Sequence, residues 1–484
     1  MIDGFVQDGD SYMQHLLDFI AETSSQLNIT TYLVGGAVRD LLLDRAPLDL
    51  DFIVTEKTLQ LSQLVAEQYS GSLVILDEHR EMIRVVTKRW QLDFSPLNNK
   101  TLQQDLLARD FTINAMALPI HKGVNGTDCK KKIFDPTRGS QDLINGLLRA
   151  TASTSIRQDP LRVLRGLRFS AKLNLLIIPE TMVLLRQGAR QIEQVAGERV
   201  WHELSALFCL PVTFSWVDFM DRELHLWQYL LPGQRRMAET KQNYYHSENV
   251  WRHCLRTYQC LEVILKELSG NFPEGHTLIS YFNQELSGGR SRIEILKLSA
   301  LIHDVGKPDT AFTQKNGRIS FHGHPEAGIP YAEVLAERLR LSRPERKLLL
   351  NLILHHMLPL DLYTSRDFSN LNIYRLFRSL ADHILDILIL SLADLTATLV
   401  SSERISELVP YRRFIIDLIE KYLKDQAIFN PKPYLSGHDL VKLGIPEGPK
   451  VGLLLEKLCE EQASGSVVDK ESALRWVKKN SPQL

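Results

Sequence analysis

The hydrophobic period of this chain changes once, and that change constrains its fold more than any other feature. From Tyr32 to Phe94, short runs rich in β-branched residues (YLV, LDFIV, SLVIL, MIRVV, QLDF) alternate with one or two helical stretches, the pattern of a small α+β domain. Beyond about Thr151, and above all over 159–208 and 250–423, apolar residues recur three and four apart with few strand-like runs, so the remainder is expected to be nearly all helix. A chain of 484 residues exceeds one ordinary core. Breaks are expected near 152–155, 231–235, 269–291 and 430–433. The expected plan is a small mixed-sheet head over 1–140, a helical neck over 141–230, a helical module over 231–400 and a helical tail over 401–484.

Charge and composition narrow the function classes. The net charge of −1 leaves no global electrostatic footprint for nucleic acid, so any RNA affinity must come from local clusters. No apolar run is expected to be long enough to cross a bilayer, so no membrane partner is expected. The opening MIDGFVQDGDSYMQHLL has no basic region before an apolar stretch, which points to a cytoplasmic location. The five cysteines (Cys129, Cys209, Cys254, Cys260, Cys459) are odd in number and form no CxxC pair, suggesting neither a disulfide framework nor a thiolate zinc site.

The stretch Tyr32–Val54, YLVGGAVRDLLLDRAPLDLDFIV, reads as strand, glycine turn, short helix, proline-containing loop and second strand. Gly35 and Gly36 let backbone approach a ligand closely, and the free N–H groups of the helix behind them suit a triphosphate. Asp49 and Asp51 alternate with Leu50, Phe52 and Val54, so both carboxylates share one strand face while the apolar residues share the other. Paired carboxylates of this kind hold Mg²⁺ at phosphoryl-transfer sites. Taken singly, a double glycine is a turn and Asp-x-Asp a solvated strand face; the combination and spacing carry the reading.

Gly35-Gly36-x-Val38-Arg39-Asp40 followed by Asp49-x-Asp51 resembles the first motif of class II CCA-adding enzymes and bacterial poly(A) polymerases, in the DNA polymerase β-like nucleotidyltransferase superfamily. The likeness continues in order. ARDFTINA, Ala108–Ala115, resembles the family's ribose-recognising motif, with Ala108 in place of its first arginine and Arg109 and Asp110 matching. DPTRGSQDL, Asp135–Leu143, resembles the hinge between head and neck. RQDPLRVLRGLRFSAKL, Arg157–Leu173, resembles the base-selecting segment, with Gln158 in place of its glutamate.

On its own, that last segment is an amphipathic helix whose Arg162, Arg165, Arg168 and Lys172 form one basic face. The resemblance implies that Asp159 and Arg162 read the edge of the incoming base, Arg39 steers the triphosphate, and Arg109 and Asp110 orient the ribose. Arg165 and Arg168 are further nucleotide-binding candidates. Asp93, in QLDF, is the candidate for a third catalytic carboxylate; otherwise it is an exposed strand residue.

Relatives that add the terminal adenosine carry a long flexible loop between the third-carboxylate strand and the ribose motif. Here Thr101 and Gln104 make a capping-box start for a helix, so only Ser95–Lys100 remain as loop. The resemblance therefore implies a tRNA nucleotidyltransferase that adds cytidines from CTP and relies on a separate A-adding enzyme. A complete CCA-adding enzyme that also uses ATP, a poly(A) polymerase, a hydrolase with an inert head and a non-catalytic tRNA scaffold are the alternatives.

His-Asp occurs twice in the second half. His438-Asp439 lies in a turn-like stretch and reads as a helix N-terminus. His303-Asp304 ends the apolar helix LKLSALIHDVGKP, where Gly306 and Pro308 supply a stop. With His253, His322, His324, His355, His356 and Asp394, the order resembles the HD phosphohydrolase superfamily. The resemblance makes His253, His303, Asp304 and Asp394 ligands of a divalent metal (Mn, Ni, Mg, Zn or Fe). It assigns His324 and one of His355 or His356 to a second site or a phosphate pocket. Phosphate monoesters and 2′,3′-cyclic phosphates at RNA ends are the implied substrates.

Overall fold

A computed structural model describes residues 4–47, 49–79, 81–98, 100–122, 132–242, 248–270, 272–424 and 431–480. The chain divides into two compact units, Met1–Val195 and Ala196–Leu484.

The first unit is built on a six-stranded sheet. Its elements run α1 (Gly4–Gln26), β1 (Thr31–Val34), α2 (Gly36–Leu42), β2 (Asp49–Val54), α3 (Thr58–Gln68), β3 (Ser72–Asp77), β4 (Met82–Val86), β5 (Gln91–Pro96), α4 (Leu102–Leu107) and β6 (Ala117–Pro119). They continue into α5 (Gly139–Ile144), α6 (Arg162–Leu173) and α7 (Pro179–Ala189). The strand order is β3-β4-β5-β2-β1-β6. The β2–β5 pair is parallel, because α3 and the β3–β4 hairpin supply the crossover.

Alternation decides which face is core. Leu50, Phe52, Val54, Val85, Leu92 and Phe94 are buried together beneath α1 and α3. Phe52 and Phe94 sit opposite each other in the β2–β5 register, and their rings stack with centroids 5.0 Å apart. Burial of each such ring stabilises by about 1.5–3 kcal/mol, and stacking adds to that. The intervening residues Asp51 and Asp93 are therefore turned to the other face.

The second unit is helical, with short two-stranded ribbons. The helices that carry functional candidates are α8 (Val250–Glu267), α9 (Arg292–Ile302), α10 (His324–Arg338), α11 (Arg343–His355) and α12 (Ile384–Ser401). Two capping boxes set the starts of α9 and α11: Ser291 with Glu294, and Ser342 with Glu345. His438-Asp439 lies in the first turn of a short helix, Gly437–Lys442, where Asp439 completes a capping box with Ser436. A small apolar core of its own, from Leu435 to Val477, holds the tail helices together.

One expectation is corrected. The helical stretch Asn370–Ser401 is long and apolar enough to cross a membrane, with a window of mean hydropathy 1.9, but 72% of that window is buried. It includes α12, whose residues 384–393 are all buried, and so forms the central helix of a bundle. Cys209, Cys254, Cys260 and Cys459 are free; Cys129 lies outside the described residues.

Truncating Phe94 to Ala removes both the core contact and the stack that hold β5 in register. It should lower the unfolding free energy of the first unit by about 3–5 kcal/mol, read as a shift in its denaturant midpoint; an unchanged midpoint would contradict this packing.

Candidate functional site: a carboxylate row and a histidine–aspartate cluster

Cross-strand pairing gathers the head candidates into one row. Arg84 of β4 pairs with Asp93 of β5, Asp93 with Asp51 of β2, and Asp51 with Val34 of β1. Partners in register present their side chains to the same face, and Asp49 joins that face from two residues before Asp51. Burial pushes the Asp51 carboxyl above its usual range; Arg109 opposes the shift, and Asp93 and Asp49 reinforce it. Three close carboxylates on one sheet face are a donor set suited to a divalent cation.

Gly35 closes the row from above. Its φ of +71° and ψ of −134° start α2, and a Cβ there would lie 2.8 Å from Arg109 Nη1 and 3.3 Å from Asp51 Oδ2. Only glycine lets this backbone sit so near both groups. Behind it, the expected capping box is present: Thr101 Oγ1 accepts from Gln104 N–H, and Gln104 Oε1 from Thr101 N–H. Residues 97–101 alone separate β5 from α4.

Other head candidates are placed less directly. Arg39 is 5% exposed, donates from Nη1 to Asn114 Oδ1 at 2.7 Å and pairs with Asp40. It lies against Gly36 and over the Phe169 ring, so its action on a triphosphate would pass through the position of Gly36. Asp110 is equally enclosed. One oxygen accepts from Phe111 N–H and Asn114 Nδ2, the other from Arg165 Nε at 2.9 Å. Burial opposes its ionisation, yet Arg165 and Asn114 hold its carboxyl below the usual range.

The base-selecting candidates lie around the start of α6. Asp159 accepts from Leu161 N–H at 3.2 Å. Arg162 donates to the carbonyls of Ala108 and Arg109 and to Ser155 Oγ, the last at 2.7 Å. Arg165 and Arg168 lie over the Phe169 ring at 5.3 and 4.5 Å. In the head, Arg84 is the participant that sequence reasoning missed: its fork grips Asp93 through Nε–Oδ1 at 2.7 Å and Nη2–Oδ2 at 2.8 Å. The alternation of MIRVV shows that Arg84 faces away from the core, but not which residue it meets.

In the second unit, the first turns of α8 and α10 and the C-terminal ends of α9 and α11 converge with the middle of α12. His253, His303, Asp304, His324, His356 and Asp394 form three overlapping groups of mutually close ligand atoms; the first five are buried and Asp394 is partly exposed. His253 Nε2 lies 2.8 Å from Asp394 Oδ1; His324 Nε2 lies 3.2 Å from Asp304 Oδ1. The Nδ1 atoms of His303, His324 and His356 face the carbonyls of Ala300, Phe321 and Ile353 at 2.8–3.1 Å. Those carbonyls can only accept, so they place the ring proton on Nδ1 and leave the Nε2 lone pairs facing inward.

That tautomer leaves His324 Nε2 and His356 Nε2 only 3.2 Å apart with no proton between them, and His303 Nε2 buried with no hydrogen-bond partner. A cation is the group these atoms fit. Burial pushes His356 down to about 3, which keeps it a neutral donor.

His355 ends α11 half-buried and outside the three groups, and His322 is exposed; of the adjacent pair, His356 is the one turned inward. Lys307 was passed over in the sequence because Gly306 and Pro308 explained the helix stop; its Nζ lies 2.6 Å from Asp304 Oδ2. Gly306 permits the whole approach, since a Cβ there would lie 2.1 Å from the His324 carbonyl oxygen.

With this geometry in view, three family descriptions match the chain. Residues 31–149 match the poly A polymerase head domain, 174–237 the probable RNA and SrmB-binding site of polymerase A, and 250–399 the HD domain. An A-adding tRNA nucleotidyltransferase of Deinococcus radiodurans is 32% identical, over 92% of this chain and 94% of that one. A CC-adding tRNA nucleotidyltransferase of Thermus thermophilus is 31% identical, over 91% of each chain. A solved CCA-adding enzyme of Thermotoga maritima, complexed with tRNA, shares the fold with a TM-score of 0.61 at 21% identity, covering 96% of this chain and 95% of that one. The chain belongs to the tRNA nucleotidyltransferase family, as an enzyme with a polymerase A-type head and an HD domain.

Proposed function

We propose that this chain extends the 3′ end of tRNA with cytidines from CTP and stops after two. The observation that carries the reading is the row Asp49, Asp51 and Asp93 beneath Gly35 and Arg109, with only residues 97–101 joining β5 to α4, the helix that leads into the ribose motif. In the reaction, the tRNA 3′-hydroxyl attacks the α-phosphate of CTP, and the bond to the β-phosphate breaks to release pyrophosphate. Mg²⁺ held by Asp49 and Asp51 would neutralise phosphate charge and lower the pKa of the attacking hydroxyl. Arg109, beside Gly35, orients the ribose and triphosphate, while Asp110 acts indirectly by holding Arg165.

Asp159 and Arg162 serve as the base reader. A cytosine edge offers an amino donor to a carboxylate and acceptors to a guanidinium. Arg162 meets the base by exchanging its carbonyl partners at Ala108 and Arg109 for base atoms. The short β5–α4 connection favours stopping after two cytidines, because nothing there is long enough to reshape the pocket for adenine. The relative in Deinococcus radiodurans supports a second reading, addition of A alone.

The HD cluster serves as a divalent-metal phosphohydrolase for phosphate monoesters or 2′,3′-cyclic phosphates at RNA ends, with Mn, Ni, Mg, Zn or Fe as candidate metals. Lys307 would hold Asp304 in place and neutralise substrate phosphate charge.

Extension of tRNA lacking its CCA end, with CTP alone, ATP alone or both, should stop at plus two whenever CTP is present. Extension by three marks a complete CCA-adding enzyme, and extension of tRNA ending in CC by ATP alone marks an A-adding one; either displaces the CC reading. Asp49→Ala should reduce transfer by several kcal/mol of transition-state stabilisation, while leaving hydrolysis of a 2′,3′-cyclic nucleotide intact. Arg162→Ala should lower discrimination between CTP and ATP by about 1–3 kcal/mol, the worth of one base-edge pair; unchanged discrimination removes the reader from the account. Chelation of the metal, or Asp304→Asn, should abolish cyclic-phosphate hydrolysis, and hydrolysis that survives both does not come from the HD site.

A further inference from the structure

We infer that Arg84 makes metal binding at the head depend on the nucleotide: it is a positioning residue that holds Asp93 and lowers the affinity of the empty carboxylate row for a divalent cation. The inference rests on the reading of Asp49, Asp51 and Asp93 as the metal-binding row.

Arg84 and Asp93 are cross-strand partners, and their fork-to-fork pair uses both Asp93 oxygens, at 2.7 and 2.8 Å. The pair is not a solvated surface bridge, because the side chains are 36% and 24% exposed and lie in line with Asp51. Two-point geometry also fixes the plane of the carboxylate, which a single lysine contact does not. The guanidinium acts beyond its direct partner, because Asp93 is itself in register with Asp51, and Asp49 lies two residues along the same strand face. One positive charge therefore stands within the field of all three carboxylates.

That position has an electrostatic consequence. A divalent cation entering the empty row meets a site whose negative charge is already partly offset, and whose third carboxylate is already engaged on the Arg84 side. A nucleotide triphosphate brings its own negative oxygens, so the metal then binds to phosphate and carboxylate together. Arg84 thus favours entry of metal with nucleotide over entry of metal alone, a coupling that works equally in both directions.

The test is a titration of the full chain with Mn²⁺, followed by electron paramagnetic resonance, with and without CTP and in the absence of tRNA. The Asp49→Ala chain serves as the blank that subtracts binding at the histidines. Arg84→Met should tighten nucleotide-free Mn²⁺ binding at the head roughly ten-fold, as expected for removing a nearby positive charge. It should shrink the ratio of nucleotide-free to CTP-bound dissociation constants by a similar factor.

Arg84→Lys keeps the charge but not the fork. It should leave Mn²⁺ affinity within about two-fold of the parent while lowering kcat with little change in the KM for CTP. Damage to the fold would weaken Mn²⁺ binding in both variants, the opposite of the effect expected for methionine. Arg84→Met binding Mn²⁺ no tighter than the parent, while Asp49→Ala does lose Mn²⁺, overturns the inference and leaves the head assignment standing. Equal binding by Asp49→Ala and the parent overturns the metal assignment itself, and the inference with it.

Discussion

The parallel pairing of β2 with β5 is the constraint on which the catalytic head depends. It is held from beneath: Leu50 with Leu92, and Phe52 with Phe94, are opposite each other in register and buried. Because side chains alternate, the same register sets Asp51 beside Asp93 on the other face. A slip of one residue would bury the carboxylates and expose the phenylalanines, so the hydrophobic core and the reactive face are two consequences of one alignment. Extending the row by one strand brings in Arg84. Extending it the other way reaches Val34, next to Gly35, whose positive φ turns the backbone over the carboxylates. A site assembled this way is as rigid as the sheet beneath it.

The HD cluster reaches a comparable order by a different route. Its donors come from separate helices, and no strand register aligns them. Three of its histidines are instead oriented by the backbone just before them, each Nδ1 meeting a carbonyl three residues earlier: Ala300 and Ile353 in the last turns of α9 and α11, and Phe321 in the turn that leads into α10. That contact fixes both the ring plane and the tautomer. Burial then acts on the carboxylates: it opposes their ionisation, but the Lys307 ammonium beside Asp304 holds that carboxyl well below the usual carboxylate range. The result is a set of inward lone pairs and anions that a cation satisfies.

Much of this was legible before any coordinates. The strand runs, the Asp49-x-Asp51 alternation, the Thr101–Gln104 capping box and the helix stop after His303-Asp304 are local patterns, and local patterns translate directly into local structure. What stayed hidden depends on which elements meet. Arg39 and Asp110 read as ligand contacts in one dimension, but tertiary packing encloses both, and their charges are met by Asp40, Asn114 and Arg165. His355 and His356 are equivalent in sequence; only the rotation of α11 against its neighbours turns the second one inward. The helical stretch Asn370–Ser401 is long and apolar enough to cross a membrane, but most of its apolar window is buried inside a bundle. Arg84 was hidden for the same reason, since strand order cannot be read from alternation.

The central claim is that the face of β2 and β5 opposite the phenylalanine stack is where metal and nucleotide meet. The measurement that tests it most directly is anomalous diffraction at the manganese edge from crystals of the full chain grown with Mn²⁺ and a non-hydrolysable CTP analogue. A manganese peak between Asp49 and Asp51, with the triphosphate running past Gly35 toward Arg109, is the expected result. Manganese found at the HD histidines alone, or a triphosphate bound away from β2, would contradict the account.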